Sequence, residues 1–179
     1  MTRTAKLYGG SLYDLAADEK LTEALMEEME EIRRIFRENP DYLRLLGEPS
    51  IPKAERVSLL DKAFEGQIEP YLLNFLKLLC ENSMLREFGD CCGEFKKRYN
   101  EDNNIAEAVV TSAVALTEEQ AAALKERLEN LSQRTIVLTQ KKDSRVLGGL
   151  KVELEGKQLD GSVEGRLAVL RKQVSEITV

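Results

Sequence analysis

The sequence predicts an α+β fold, a six-helix bundle over residues 1–104 followed by a small α/β domain over residues 105–179. Three observations carry this. The run Leu72–Cys80 is apolar except at Asn74 and Lys77, so the apolar side of a helix there spreads beyond a single stripe and requires neighbours on several sides. Other apolar clusters before residue 100 recur at intervals of three and four. After the polar run Asn100-Glu-Asp-Asn-Asn104, which reads as the domain boundary, the pattern changes to β-branched segments and strict alternation.

The composition fits a soluble, globular chain. Hydrophobic residues make up 42% and charged residues 32% of 179, enough to build a core under a heavily charged exterior. Net charge is −6, and residues 1–105 hold 15 Lys/Arg against 21 Asp/Glu while residues 106–179 hold 11 against 11. Neither part offers the basic face that nucleic-acid binding needs to displace counterions from phosphates, so no nucleic-acid partner is expected. No apolar run has signal-peptide or membrane-spanning length, which predicts a cytoplasmic protein. Cys80, Cys91 and Cys92 show no metal-ligand spacing, and with no histidine in the chain the expectation is buried free thiols and no metal.

In chain order, residues 4–17 read as a helix with Ala5, Tyr8, Leu12, Leu15 and Ala16 on one side. Gly9 and Gly10 interrupt it, and since glycine costs a helix about 1 kcal/mol relative to alanine, they indicate either that something packs close to the backbone or simply a weak terminal helix. Leu21, Leu25, Met29, Ile32 and Phe36 define the second helix, whose glutamates form a solvated face. Asn39-Pro40 predicts a cap and first helical residue for a short third helix carrying Tyr42, Leu43, Leu45 and Leu46. Ser50-Ile-Pro-Lys opens a fourth, with Val57, Leu60, Ala63 and Phe64 inward, and Pro70 starts the central fifth. The sixth holds Leu85, Phe88, Cys92, Phe95 and Tyr99, with Lys96-Lys97-Arg98 near its C-terminus, where cations suit the helix dipole.

Beyond the boundary, Val109, Val110, Thr111 and Val114 mark a first strand. Thr117-Glu-Glu-Gln120 is a capping box for a helix running to about Ser132, with Leu124, Leu128 and Leu131 on its core side. Thr135–Gln140 is a second strand, and Leu150–Glu155 a third that puts Leu150, Val152 and Leu154 on one face. Gly156-Lys157 turns the chain into a hairpin towards Gln158-Leu159-Asp160. A last helix from Ser162 shows Val163, Leu167, Leu170 and Val174.

Converging catalytic groups are missing from the sequence: no histidine, no phosphate loop ending in Gly-Lys-Ser/Thr, no Gly-x-Ser-x-Gly elbow. Asp143 and Asp160 read as turn or capping residues. No catalytic residue and no cofactor is predicted. Two classes remain, a protein-binding connector and an enzyme with a histidine-free site. Binding accounts for more, because small residues beside a partly exposed aromatic, as in Tyr8-Gly9-Gly10-Ser11, suit a groove that receives an amphipathic helix.

The residues also carry a family resemblance over nearly the whole length. Tyr8 lies in a small-residue first helix, Asn74–Asn82 ends in Cys80-Glu81-Asn82, and Val110-Thr-Ser-Ala-Val-Ala-Leu-Thr117 follows. Asp143-Ser-Arg-Val-Leu-Gly-Gly149 then leads to Asp160-Gly-Ser162, the most specific part. In this order the chain resembles the delta subunit of the F-type ATP synthase, which is similar to the mitochondrial oligomycin sensitivity-conferring protein. Gly9 and Gly10 depart from the family's usual alanine or other small helix former. The resemblance implies a non-catalytic connector of the peripheral stalk that joins the catalytic head to the b subunits and resists rotational torque. It implies that the N-terminal domain holds the N-terminal helix of an alpha subunit and that the C-terminal domain binds the C-terminal region of b. The membrane would be met only indirectly, from the cytoplasmic side of a bacterial plasma membrane. It places the alpha site between the first and fifth helices, with Tyr8, Ser11, Leu12 and Leu15 facing Asn74, Leu78 and Glu81. The alternative is a helical protein-binding adaptor outside the ATP synthase.

Overall fold

The computed structural model describes residues 2–162 except 145, 147 and 155, so the predicted last helix with Val163, Leu167, Leu170 and Val174 lies outside the described residues. The chain divides into two compact units, Met1–Tyr99 and Asn100–Val179. Helices come first: α1 (Arg3–Asp18), α2 (Thr22–Glu38), α3 (Pro40–Leu46), α4 (Lys53–Phe64), α5 (Pro70–Glu81), a 3₁₀ turn (Leu85–Glu87) and α6 (Phe88–Asp102). They are followed by β1 (Ile105–Ser112), α7 (Glu118–Ser132), β2 (Thr135–Lys142), β3 (Leu150–Leu154) and β4 (Lys157–Asp160). The class is α+β, and among the described residues no helix is long and apolar enough to cross a membrane.

The helical unit closes on one core. Leu25, Met29, Ile32 and Phe36 of α2 are all buried, as their spacing predicts, and meet Leu72, Leu73, Phe75, Leu76, Leu79 and Cys80 of α5. Phe88 stands edge-on to Phe36 at 5.6 Å between ring centroids, and Tyr13 edge-on to Phe95 at 5.2 Å. Such pairs add about 0.5–1.5 kcal/mol beyond the area they bury. Tyr13 was not on the predicted inner side of the first helix, and Leu15, which was, is 39% exposed.

Helix ends depart from expectation in instructive ways. The Asn39 side chain donates to the Ile35 carbonyl at 3.0 Å and so closes α2 rather than opening α3. Ser50 donates to Glu48, and α4 starts from Pro52 without a side-chain cap. Arg56 is buried in α4 beside the expected Leu60 and Phe64, while Val57 and Ala63 are only half-buried. Its Nη1 donates to the Leu46 carbonyl at 3.1 Å, which satisfies the end of α3 from a neighbouring helix. The helix α6 continues to Asp102, so Lys96, Lys97 and Arg98 lie inside it and not at its terminus.

In the second unit the sheet order is β2-β1-β3-β4. β1 and β2 run parallel through α7, with Ala106 opposite Ile136, and β1 and β3 run antiparallel, with Val110 opposite Val152. Ala106, Ala108, Val110, Ile136 and Val152 pack with Leu128 of α7, and Leu124, Leu150 and Leu154 close the edges of that core. Leu131, expected to face the core, is instead 70% exposed in the last turn of α7. The capping box is present in full: Gln120 N donates to Thr117 Oγ1 at 3.3 Å and Thr117 N to Gln120 Oε1 at 3.2 Å.

Gly149 and Gly161-Ser162, from the two ends of the predicted signature, meet at one crossing. Gly148 and Gly149 hold φ of +94° and +80°, open to glycine at little cost. A Cβ on Gly149 would stand 2.5 Å from the Gly161 carbonyl oxygen, while Gly161 N donates to the Leu150 carbonyl at 3.0 Å. Asp160 Oδ1 accepts from Ser162 N at 2.9 Å and from Ser162 Oγ at 2.6 Å. These bonds hold the Asp160 carboxyl below its ordinary range, the Ser162 hydroxyl first, then the Ser162 amide, with Lys151 adding to them.

Candidate helix-binding face

The first predicted row lies on α1. The helix N-terminus is fixed by Thr2, whose hydroxyl accepts from Ala5 N at 3.1 Å. Its inner side consists of Ala5, Gly9, Leu12, Tyr13 and Ala16, all buried. Gly9 is required there because the α6 backbone crosses in contact: a Cβ would lie 2.6 Å from the Cys91 carbonyl oxygen and 3.1 Å from Cys91 Cα. The close approach that the two glycines suggest is thus a helix crossing. On the outer side Leu7, Ser11 and Leu15 repeat every four residues, with Leu7 67% exposed and Tyr8 half-buried beside them. Leu12, at 4% exposure, belongs to the core and offers a partner almost no surface.

The second predicted row lies on α5, the helix with the widest apolar side. Six of its residues are buried, yet Tyr71, Asn74, Leu78 and Glu81, spaced three, four and three apart, form an exposed row. Leu78 keeps 43% of its surface in water. Lys77, the other interruption of the apolar run, pairs with Asp61 of α4 at 2.5 Å and is spent inside the fold. The N-terminus of α5 is held from α2, where the Glu28 carboxylate accepts from Glu69 N at 2.9 Å. Burial pushes the Glu28 carboxyl up, partly offset by that amide.

Both helices therefore root their inner faces in one core while Tyr8, Ser11 and Leu15 on α1, and Asn74, Leu78 and Glu81 on α5, stay at least partly accessible. Leu7 and Tyr71 extend the two rows and were missed from the sequence, although their four- and three-residue spacing to Ser11 and Asn74 was there to be used. Reactive chemistry is damped nearby. Burial pushes the Cys91 thiol up from 9.0 to about 11 and the Cys92 thiol higher still, so neither is a nucleophile at neutral pH. Among the described residues no group of three His, Cys, Asp or Glu could hold a metal ion.

The exposed rows, Leu7, Ser11 and Leu15 on α1 and Tyr71, Asn74, Leu78 and Glu81 on α5, mix apolar with polar side chains on two helices that share the core of an α+β fold. The chain belongs to the family of ATP synthase delta (OSCP) subunits, whose family model matches residues 4–174. It is 32% identical over 166 residues to ATP synthase subunit delta of Moorella thermoacetica, covering 93% of each chain. It is 32% identical over 172 residues to the subunit delta of Anoxybacillus flavithermus, covering 96% of each. Its fold is similar to that of a chain in the mitochondrial ATP synthase hexamer of Toxoplasma gondii, with a TM-score of 0.76 at 16% identity, over 97% of this chain and 98% of that one. Subunits of this family are structural components of the peripheral stalk, and the chain is accordingly a stalk component and not itself a catalyst.

Proposed function

We propose that the helical unit, as a six-helix bundle bounded near residue 104, receives the N-terminal helix of an alpha subunit between α1 and α5. The observation that carries this reading is the pair of exposed rows, Leu7, Ser11 and Leu15 on one helix and Tyr71, Asn74 and Leu78 on the other. An amphipathic partner helix covers such rows with its own i, i+3, i+4 and i+7 residues. The second unit, residues 105–179, binds the C-terminal region of the b subunits. Joined in this way the chain ties the catalytic head to the stalk on the cytoplasmic side of a bacterial plasma membrane and resists the torque on the head.

Calorimetric titration of the full chain with an alpha N-terminal peptide tests the first contact. Leu78→Asp weakens binding about tenfold or more while the thermal transition is retained, since the side chain is already 43% exposed. Unchanged affinity removes this wall from the site. For the second contact, a chain ending at Asn104 loses b binding, and retention of full b affinity would contradict the assignment.

A further inference from the structure

The position of α1 is set from outside the helix. Two consecutive glycines weaken it by about 1 kcal/mol each relative to alanine, and α6 supplies a clamp at the same place. Arg98 Nη1 donates to Asp14 Oδ1 at 2.8 Å and to the Gly10 carbonyl oxygen at 3.4 Å. Its Nε lies 3.6 Å from Oε1 of Glu94, one turn earlier on α6. The guanidinium fills the volume in which a residue-10 Cβ would sit, since such an atom would stand 2.6 Å from Cζ. A Cβ at position 10 would have to displace the guanidinium, so glycine leaves the clamp its present place. Glu94 is buried and its Oε2 has no hydrogen-bond partner, so the guanidinium also offsets a buried charge.

Each clamped residue adjoins a member of the exposed row: Gly10 precedes Ser11 and Asp14 precedes Leu15. We propose that Arg98 is a positioning residue for partner binding, its guanidinium admitted by Gly10 and locking α1 to α6 so that Tyr8, Ser11 and Leu15 are held ready for a partner helix. This rests on the reading of α1 as a partner-binding wall. A wall already in place spares the complex the ordering cost that a loose helix would impose.

The test uses the full chain, an alpha N-terminal peptide as probe, calorimetry, thermal unfolding and amide hydrogen exchange along α1. Arg98→Lys keeps a positive charge beside Glu94 but loses the planar fork, and Asp14→Asn alters only an exposed carboxylate. Both weaken peptide binding about two- to fivefold and speed exchange in α1, while the Tm moves little. Gly10→Ala costs affinity in the wild-type background and adds no further loss in an Arg98→Ala background, where its Cβ has room. Wild-type affinity and wild-type exchange in both Arg98→Lys and Asp14→Asn overturn the proposal. Failure of the wild-type chain to bind the peptide overturns the partner reading and this role with it; faster α1 exchange in the variants would then leave the clamp as a purely structural link.

Discussion

Phe88, at the centre of the helical unit, stands 5.6 Å from the ring of Phe36 and 6.5 Å from that of Phe75, whereas the corresponding place in the sheet unit is held by Ala108, paired with Leu138 on one side and Leu154 on the other. One unit fills its interior with bulky side chains from several helices. The other brings backbones together with alanine and valine, and depends on strand register, turns and caps to do so. The first should therefore be most sensitive to lost volume and the second to altered backbone geometry.

The largest expected effect is on volume. Phe88→Ala, at a site only 2% exposed, destabilises the helical unit by about 3–5 kcal/mol, read from denaturant unfolding of the full chain. A loss under about 1 kcal/mol would show that the aromatic cluster is not what holds this unit. Next comes geometry. Gly149→Ala costs the sheet unit about 2 kcal/mol or more, because it combines φ of +80° with a contact of 2.5 Å to the Gly161 carbonyl. Gly156→Ala, at φ of +79° with nothing within 4 Å, costs only about 1 kcal/mol. Equal losses at the two glycines would mean that the crossing adds nothing to the strain.

Thr117→Ala removes one hydroxyl from the capping box and should cost about 1 kcal/mol, measured as a shift of the sheet-unit transition alone. The smallest changes near neutrality separate the units by pH. A thiol raised on folding favours the protonated form, so its stabilisation is complete below the unfolded value and is lost as pH rises. For Cys91 the window runs from 9.0 to about 11, and Cys92 acts in the same direction. The sheet unit has no cysteine. Its Asp160 is lowered on folding, so that contribution is present above the unfolded carboxylate range and fades as pH falls through it. Thermal melting across pH should show a base-sensitive helical unit and an acid-sensitive hairpin. Flattening of the alkaline loss by Cys91→Ala identifies the thiol.

The features that could be read from the sequence are those whose cause lies within a few residues. The spacing of Leu25, Met29, Ile32 and Phe36 reports its own burial, Thr117 and Gln120 satisfy each other's backbone amides, and alternation fixes the inward face of β3. What escaped depends on distant partners. Arg56 is buried because Leu46 ends a helix ten residues earlier, Asn39 is used backwards into α2, and Arg98 serves α1 and not its own terminus. The candidate face was half legible for the same reason. Ser11, Asn74 and Leu78 are outward as their helical phase indicates and Leu12 is buried as its spacing predicts, but the burial of Tyr13 against Phe95 follows from where α6 crosses, which no local pattern encodes.

The strand order also sets a schedule for synthesis. β1 is central, and its partners are residues 135–142 and 150–154, so the sheet cannot be completed until the chain has been made well past residue 150. The helical unit draws its core from residues before 100 and can fold as it emerges. Closing the parallel pair across α7 is the slow, non-local step. Translation that stalls within the second unit, after β1 has been made and before β2, therefore leaves a finished helical unit followed by an unpaired β1, whose open edges are a template for aggregation until β2 and β3 arrive.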